Sequence, residues 1–166
     1  MPGRFPGSRL STPGGVPEVA SKREPQARAR VEEARGVTGD PLFLELEEVL
    51  LIHLDQIRRF GGAPEIRDLG LLESAVEMPR AGVRGQYFHT DVFEMAAAYL
   101  FHISRNHPFA DGNKRTGAAA ALVFLDLNGI KVRCPHSALV QMVRKVAEGK
   151  ADKPAAAAFF RRHARK

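Results

Sequence analysis

An all-α bundle with short loops is the fold the sequence predicts, on three observations. Apolar residues recur at spacings of three and four along residues 46–60, 91–106 and 116–127, the period of helices that bury one stripe. Each run is closed by residues that end helices, namely Gly61-Gly62, Pro108 and Asn128-Gly129. With 166 residues and 44% apolar content the chain can bury one real core, so a single domain is expected over residues 41–166.

Residues 1–40 stand apart. They hold five prolines and six glycines among Arg, Ser and Glu, with almost no apolar periodicity before Val31. Such a composition cannot bury enough surface to offset its ordering entropy, and disorder is expected there. A start codon placed too far upstream would account for the stretch, which an N-terminal peptide from the native protein would check.

Phe43-Leu44 reads as a short extended entry to a helix through Phe60, with Leu46, Val49, Leu50, Leu54 and Ile57 on one stripe. His53 lies on this helix without a second metal-type residue at useful spacing, and reads as a satisfied structural histidine. Asp68 is a fitting N-cap for a second helix to Glu77, closed by Pro79. Residues 79–90 have too little periodicity for a helix and read as a loop. Asp91 and Glu94 form a capping-box-like start to the next helix, whose face runs Phe93, Ala97, Leu100, Phe101 and Ser104. It ends at Asn106, ahead of Pro108. The helix expected over 116–127 is apolar nearly all round, which marks it as central. Residues 130–132 read as a short extended piece. Ser137 is a candidate cap for a helix to Glu148, and Pro154 suits the first turn of a last helix carrying Phe159 and Phe160.

The chemistry concentrates in residues 107–115, His-Pro-Phe-Ala-Asp-Gly-Asn-Lys-Arg. His107 can move a proton near neutral pH, and Asp111 supplies a carboxylate four residues later. Gly112 precedes a helical pattern, a setting in which backbone N–H groups and the helix dipole converge on an anion such as phosphate. Lys114 and Arg115 stand at the wrong end of that helix for the dipole, which an anionic ligand would neutralise. A carboxylate among these cations would serve as an oxygen ligand to Mg²⁺ rather than face phosphate directly. The plain alternatives are a helix-end histidine and an Asp-Gly turn.

At these residues the sequence resembles the Fic/Doc family, whose signature is His-x-Phe-x-(Asp or Glu)-Gly-Asn-Gly-Arg-x-x-Arg. His107, Phe109, Asp111, Gly112, Asn113 and Arg115 match it in order and spacing, and the resemblance runs from about Phe43 to Asn128. Lys114 replaces the glycine between the signature's Asn and Arg, and Ala118 its second arginine, as in the Doc (death-on-curing) branch. The resemblance implies a helical core built on the motif helix and a protein kinase toxin using ATP and Mg²⁺. Its implied target is elongation factor Tu, and its implied restraint is an antitoxin. His107 would be the base, with Lys114 and Arg115 as charge-stabilising groups. Asp111 would hold the metal, and Gly112, Asn113, Lys114 and Arg115 the phosphates. Phe109 is expected to plug the loop into the core. A flap in residues 79–90, around Gly85, Gln86 and Tyr87, would dock the target. Classical Fic proteins transfer AMP instead, and losing the arginine at Ala118 weakens that alternative. The sequence lacks the Ser/Thr-x-x-x-Glu-Gly/Asn motif of self-inhibited family members, so a separate inhibitor is expected.

Composition narrows the remaining classes. One cysteine, Cys134, excludes an internal disulfide framework and a Cys-rich metal site, which suits a cytoplasmic protein. No run approaches the ~20 apolar residues of a membrane span. The net charge of +6 divides as +2 over residues 1–40, −4 over 41–130 and +8 over 131–166. The motif region is therefore mildly acidic, and the basic tail reads as a solvated helix end. Contact between that tail and nucleic acid belongs to the remaining alternative, a non-catalytic binding module.

Overall fold

Within residues 39–165, those that the computed structural model describes, the chain forms six α-helices. They are α1 (Leu46–Phe60), α2 (Leu69–Glu77), α3 (Val92–Asn106), α4 (Asn113–Leu127), α5 (His136–Ala147) and α6 (Lys153–His163). A 3-10 turn, Met78–Arg80, follows α2, and strands β1 (Gly82–Val83) and β2 (Gln86–Tyr87) make an antiparallel hairpin before α3. Strand β3 (Lys131–Val132) pairs antiparallel with β4 (Ala164–Arg165). These strands are too short to form a layer, so the class is all-α. The expectation of disorder over residues 1–40 falls, except for Gly39 and Asp40, outside the described residues.

The core is built on α3, which packs against α2, α4, α5 and α6. Eight of its residues are buried, from Met95 through Leu100 to Ile103 and Ser104. Small residues let α4 approach it closely. A Cβ placed on Gly117 would lie 2.8 Å from Ser104 Oγ and 3.1 Å from the Leu100 carbonyl. The reading of α4 as the central helix needs a refinement. Thr116, Ala120, Ala121, Phe124 and Leu125 are buried, but Ala118, Ala119 and Leu122 on another face line a cavity.

Local bonds explain the ends of the elements. Asp91 accepts from the N–H groups of Phe93 and Glu94 at 2.9 Å each. The reciprocal arm of the box is displaced by one residue, since Glu94 accepts from Thr90 N–H at 2.7 Å. Asn128 accepts from Leu42 N–H at 2.9 Å and donates to the Leu42 carbonyl at 3.0 Å, fixing the entry segment to the end of α4. The buried Tyr99 hydroxyl accepts from Leu44 N–H at 2.9 Å.

Three boundaries differ from expectation. Helix α4 begins at Asn113 rather than Thr116, because Gly112 in a left-handed conformation (φ 77°) starts it directly from the motif. Helix α5 begins at His136 with Pro135 at its N-cap, and Ser137 caps nothing. The basic C-terminal stretch is not a helix end throughout: Ala164 turns extended, and β4 leaves α6 to pair with β3. Among the described residues no helix is long and apolar enough to cross a membrane.

Replacing Gly117 by Val should destabilise the protein by about 1–3 kcal/mol through overpacking at the α3–α4 crossing, outweighing the gain in helix propensity. A urea midpoint unchanged by this substitution would contradict so close an approach. Burial holds His102 down at about 4, with Lys153 and His89 pushing the same way, and burial also lowers His53 and His89. Each imidazole therefore takes a proton more readily in the unfolded chain, so acidification favours unfolding. Stability should be full above the ordinary histidine value of 6.5 and fall as the pH drops from there toward about 4. Urea titrations at fixed pH steps check this, and His102→Gln should flatten the acidic end of the curve.

Candidate active site

Pro108 prevents α3 from continuing and biases the residue before it away from right-handed helical geometry. His107 responds with a left-handed conformation (φ 49°, ψ 54°), which among the described non-glycine residues only Arg84 shares in having positive φ. The freed carbonyls are answered by a segment from far upstream. Arg67 donates from Nε to the His107 carbonyl at 2.6 Å and from Nη2 to the Asn106 carbonyl at 2.9 Å. The Arg67 and Asp68 N–H groups donate to the Pro108 carbonyl at 2.8 and 3.0 Å, and Ala110 N–H donates to the Glu65 carbonyl at 2.9 Å. An isolated antiparallel bridge between Ile66 and Phe109 completes this seam.

From the other side the loop is pinned by side chains. Phe109 is 1% exposed and stacks on His53, ring centroids 3.7 Å apart and planes within 4°. His53 in turn donates from Nε2 to the Asp111 carbonyl at 2.9 Å, which fixes its proton on that nitrogen because a carbonyl can only accept. Asn113 accepts from Phe109 N–H and donates to the Phe109 carbonyl, both at 2.9 Å. Phe109 is thus the apolar plug expected, and His53 is the structural histidine expected, now seen to hold the motif itself.

The polar groups surround this anchored loop. His107 is exposed at the end of α3. Asp111 presents a half-exposed carboxylate whose Oδ1 accepts from Gly112 N–H at 2.7 Å and lies 3.9 Å from Arg115. Its Oδ2 lies against Gly62, where a Cβ would come within 2.5 Å and where φ is +117°, so glycine is required on both counts. Gly112 has no side chain to cap α4, and the first helical bond there joins Thr116 N–H to the Gly112 carbonyl. The N–H groups of Asn113, Lys114 and Arg115 therefore have no helical partner. Arg115 donates to the Gln56 and Gly61 carbonyls at 3.2 and 2.9 Å, at the end of α1.

The residues expected to bind phosphate are gathered at the start of α4, but two of their side chains are engaged differently from expectation. The Asn113 amide is committed to Phe109, because the loop backbone needs both of its bonds, so only its N–H remains for an anion. Arg115 is turned toward α1, whose terminal carbonyls attract a cation, and keeps its other N–H donors free. For a metal, no three His, Cys, Asp or Glu groups gather among the described residues. A lone exposed carboxylate fits Mg²⁺, which takes its remaining ligands from phosphate oxygens and water.

Beside the loop lies a cavity of about 540 Å³ between α1, α4 and α5. Leu122, Val140, Val143 and Ala118 give it apolar walls, while Arg59, Lys114, Arg115 and Arg144 ring it with positive charge. Neither His107 nor Asp111 lines it. The hairpin is tied down by Tyr87, 5.4 Å from the Phe43 ring, and leaves Val83 and Phe88 56% and 64% exposed. Gly85 sits at its turn with φ 76°, and Gln86 and Tyr87 form β2.

Arg67 and Gly62 escaped the sequence reading. The Gly61-Gly62 pair was visible as a helix stop, but nothing local announced that it faces Asp111. Arg67 lies 40 residues from the carbonyl it binds, and no periodicity signals that contact.

Replacing His53 by Ala should cost about 2–4 kcal/mol, since it removes a buried ring and leaves a cavity. Replacing it by Phe keeps the stack but leaves the Asp111 carbonyl without its donor, for a smaller loss of about 1–3 kcal/mol. Chemical denaturation of both variants tests this order.

Residues 43–125 match the model of the Fic/DOC family. Toxin Doc of Mycolicibacterium smegmatis is 47% identical over 73 residues, covering 44% of this chain and 56% of that protein. Protein kinase doc of Escherichia phage P1 is 41% identical over 86 residues, covering 52% of this chain and 68% of that protein. The matched region thus spans little more than half the length of the first relative.

Proposed function

The chain belongs to the Fic/DOC family, and we propose that it is a Doc-type toxin that phosphorylates a Ser or Thr hydroxyl of a protein target from Mg-ATP. The observation that carries this reading is the juxtaposition, on one loop pinned from both sides, of an exposed imidazole, a lone carboxylate and an uncapped cationic helix start. Base, metal ligand and phosphate cradle then belong to a single rigid unit, which is what in-line phosphoryl transfer requires.

His107 takes the proton of the target hydroxyl as its oxygen bonds to the γ-phosphorus. The bond from that phosphorus to the β–γ bridging oxygen breaks, and ADP leaves. The N–H groups of Asn113, Lys114 and Arg115, the Lys114 ammonium and the free donors of Arg115 stabilise charge on the transferring group. Asp111 would hold Mg²⁺, which when bound neutralises phosphate charge. Target docking falls to the hairpin around Gly85, Gln86 and Tyr87. Phosphate rather than AMP transfer is favoured by Lys114 and by Ala118, which removes a guanidinium from the signature, and by the kinase name of the phage relative. The family resemblance points to elongation factor Tu as target and to a cytoplasmic setting.

The partner is an antitoxin, and the cavity beside α4 is its proposed seat. Apolar walls with a ring of cations suit a helical segment that is apolar on one side and acidic on the other.

Incubation of purified protein with elongation factor Tu and Mg-ATP should add one phosphate to the target by intact mass. His107→Ala should lower the rate by about 10²–10⁴-fold without unfolding the protein. A gain of AMP with release of pyrophosphate would overturn the kinase reading. Expression in bacteria should be toxic, and Leu122→Asp with Arg144→Glu should leave that toxicity unrelieved by the cognate antitoxin. Full neutralisation of this double variant would remove the cavity from the antitoxin interface.

A further inference from the structure

We propose that Arg67 is a positioning residue for His107, its guanidinium holding the motif histidine in the left-handed conformation from which the imidazole meets substrate. This rests on the preceding reading of His107 as the base. The last carbonyls of a helix need partners from outside it, and a glycine that turns the chain left-handed usually supplies the geometry. Here that position is His107, for which a left-handed backbone is unfavourable. No backbone N–H of His107 returns into α3, unlike the caps that close α1, α2, α5 and α6.

Arg67 supplies what the backbone does not. Its planar fork reaches the two consecutive carbonyls of Asn106 and His107, and its own N–H reaches the third, that of Pro108. A positive charge at a helix C-terminus is also favourable in itself. No carboxylate lies within ion-pair distance of Arg67 among the described residues, so these carbonyls are the partners of the guanidinium. The bridge between Ile66 and Phe109 fixes the arginine's backbone to the same loop. Lysine would keep the charge without the fork, so it cannot hold both carbonyls in one plane.

The test uses the full chain with Mg-ATP and a phosphorylated target. Arg67→Ala should lower kcat by about 10–100-fold, the scale of a misplacement of about 1 Å. KM for ATP should change by less than about twofold, because the phosphate cradle at α4 is separate from this contact. Arg67→Lys should recover little. Guanidinium ion at about 20 mM, too dilute to unfold the protein, should restore part of the rate in Arg67→Ala and none in His107→Ala. Retained kcat in Arg67→Ala, or a loss shared by kcat and thermal stability without guanidinium rescue, overturns the proposal. If the unsubstituted protein modifies no target, that failure belongs to the function reading. Arg67 is then judged by amide exchange over residues 107–110, which should accelerate by about tenfold or more in Arg67→Ala and slow again with guanidinium. Unchanged exchange overturns it.

Discussion

The backbone between α3 and α4 must turn sharply without leaving buried N–H and C=O groups unpaired, and most of the site follows from how that is done. Residues 65–68 lie against residues 108–110 as a short antiparallel seam, and the Arg67 side chain extends it by two further bonds. On the opposite side His53 and Asn113 take up the carbonyls of Asp111 and Phe109. A loop held at this many points has little freedom left. It can therefore hold His107, Asp111 and the start of α4 at fixed separations while their polar atoms stay open to solvent.

The scaffold is arranged to make that possible. Phe109 carries the loop into the core, and its ring meets a histidine rather than an aliphatic residue because one group must both stack and donate. His53 does both, and burial keeps it neutral so that no uncompensated charge is introduced. Gly62 contributes by lacking a side chain, since any Cβ there would displace the Asp111 carboxylate. The end of α1 thus shapes the site through its C-terminal residues, although none of them does chemistry.

The helices were legible in the sequence because their stripes and stops are local signals. Asp68 and Asp91 announced helix starts through capping chemistry that acts within four residues, and Pro154 through a fixed φ that suits the first turn. The motif was legible for a different reason, as a fixed order of residue types. What was hidden depends on contacts distant in sequence. Arg67 and His53 hold the loop from other elements, and the pairing of β3 with β4 joins segments with two helices between them. The hairpin was obscured by Arg84, which occupies the left-handed turn position beside Gly85 where Asn or Gly is the usual signal. An apolar character nearly all round marks α4 as central, yet its Leu122 and Ala118 face a cavity. Apolar side chains at a helix surface signal burial or a binding wall alike.

The cations at the start of α4 illustrate how tertiary structure changes an electrostatic argument. In isolation Lys114 and Arg115 both oppose the dipole of their own helix, and both invite an anionic ligand. Arg115, however, reaches the Gln56 and Gly61 carbonyls at the end of α1, where a dipole of the opposite sense welcomes it. One residue therefore joins the negative end of α1 to the positive end of α4, and its placement is accounted for without a ligand. Lys114 has no such relief from α1. The case for an anion at this site rests on Lys114 and on the uncapped N–H groups beside it, and Arg115 adds to that attraction while serving first as a strut between two helix ends.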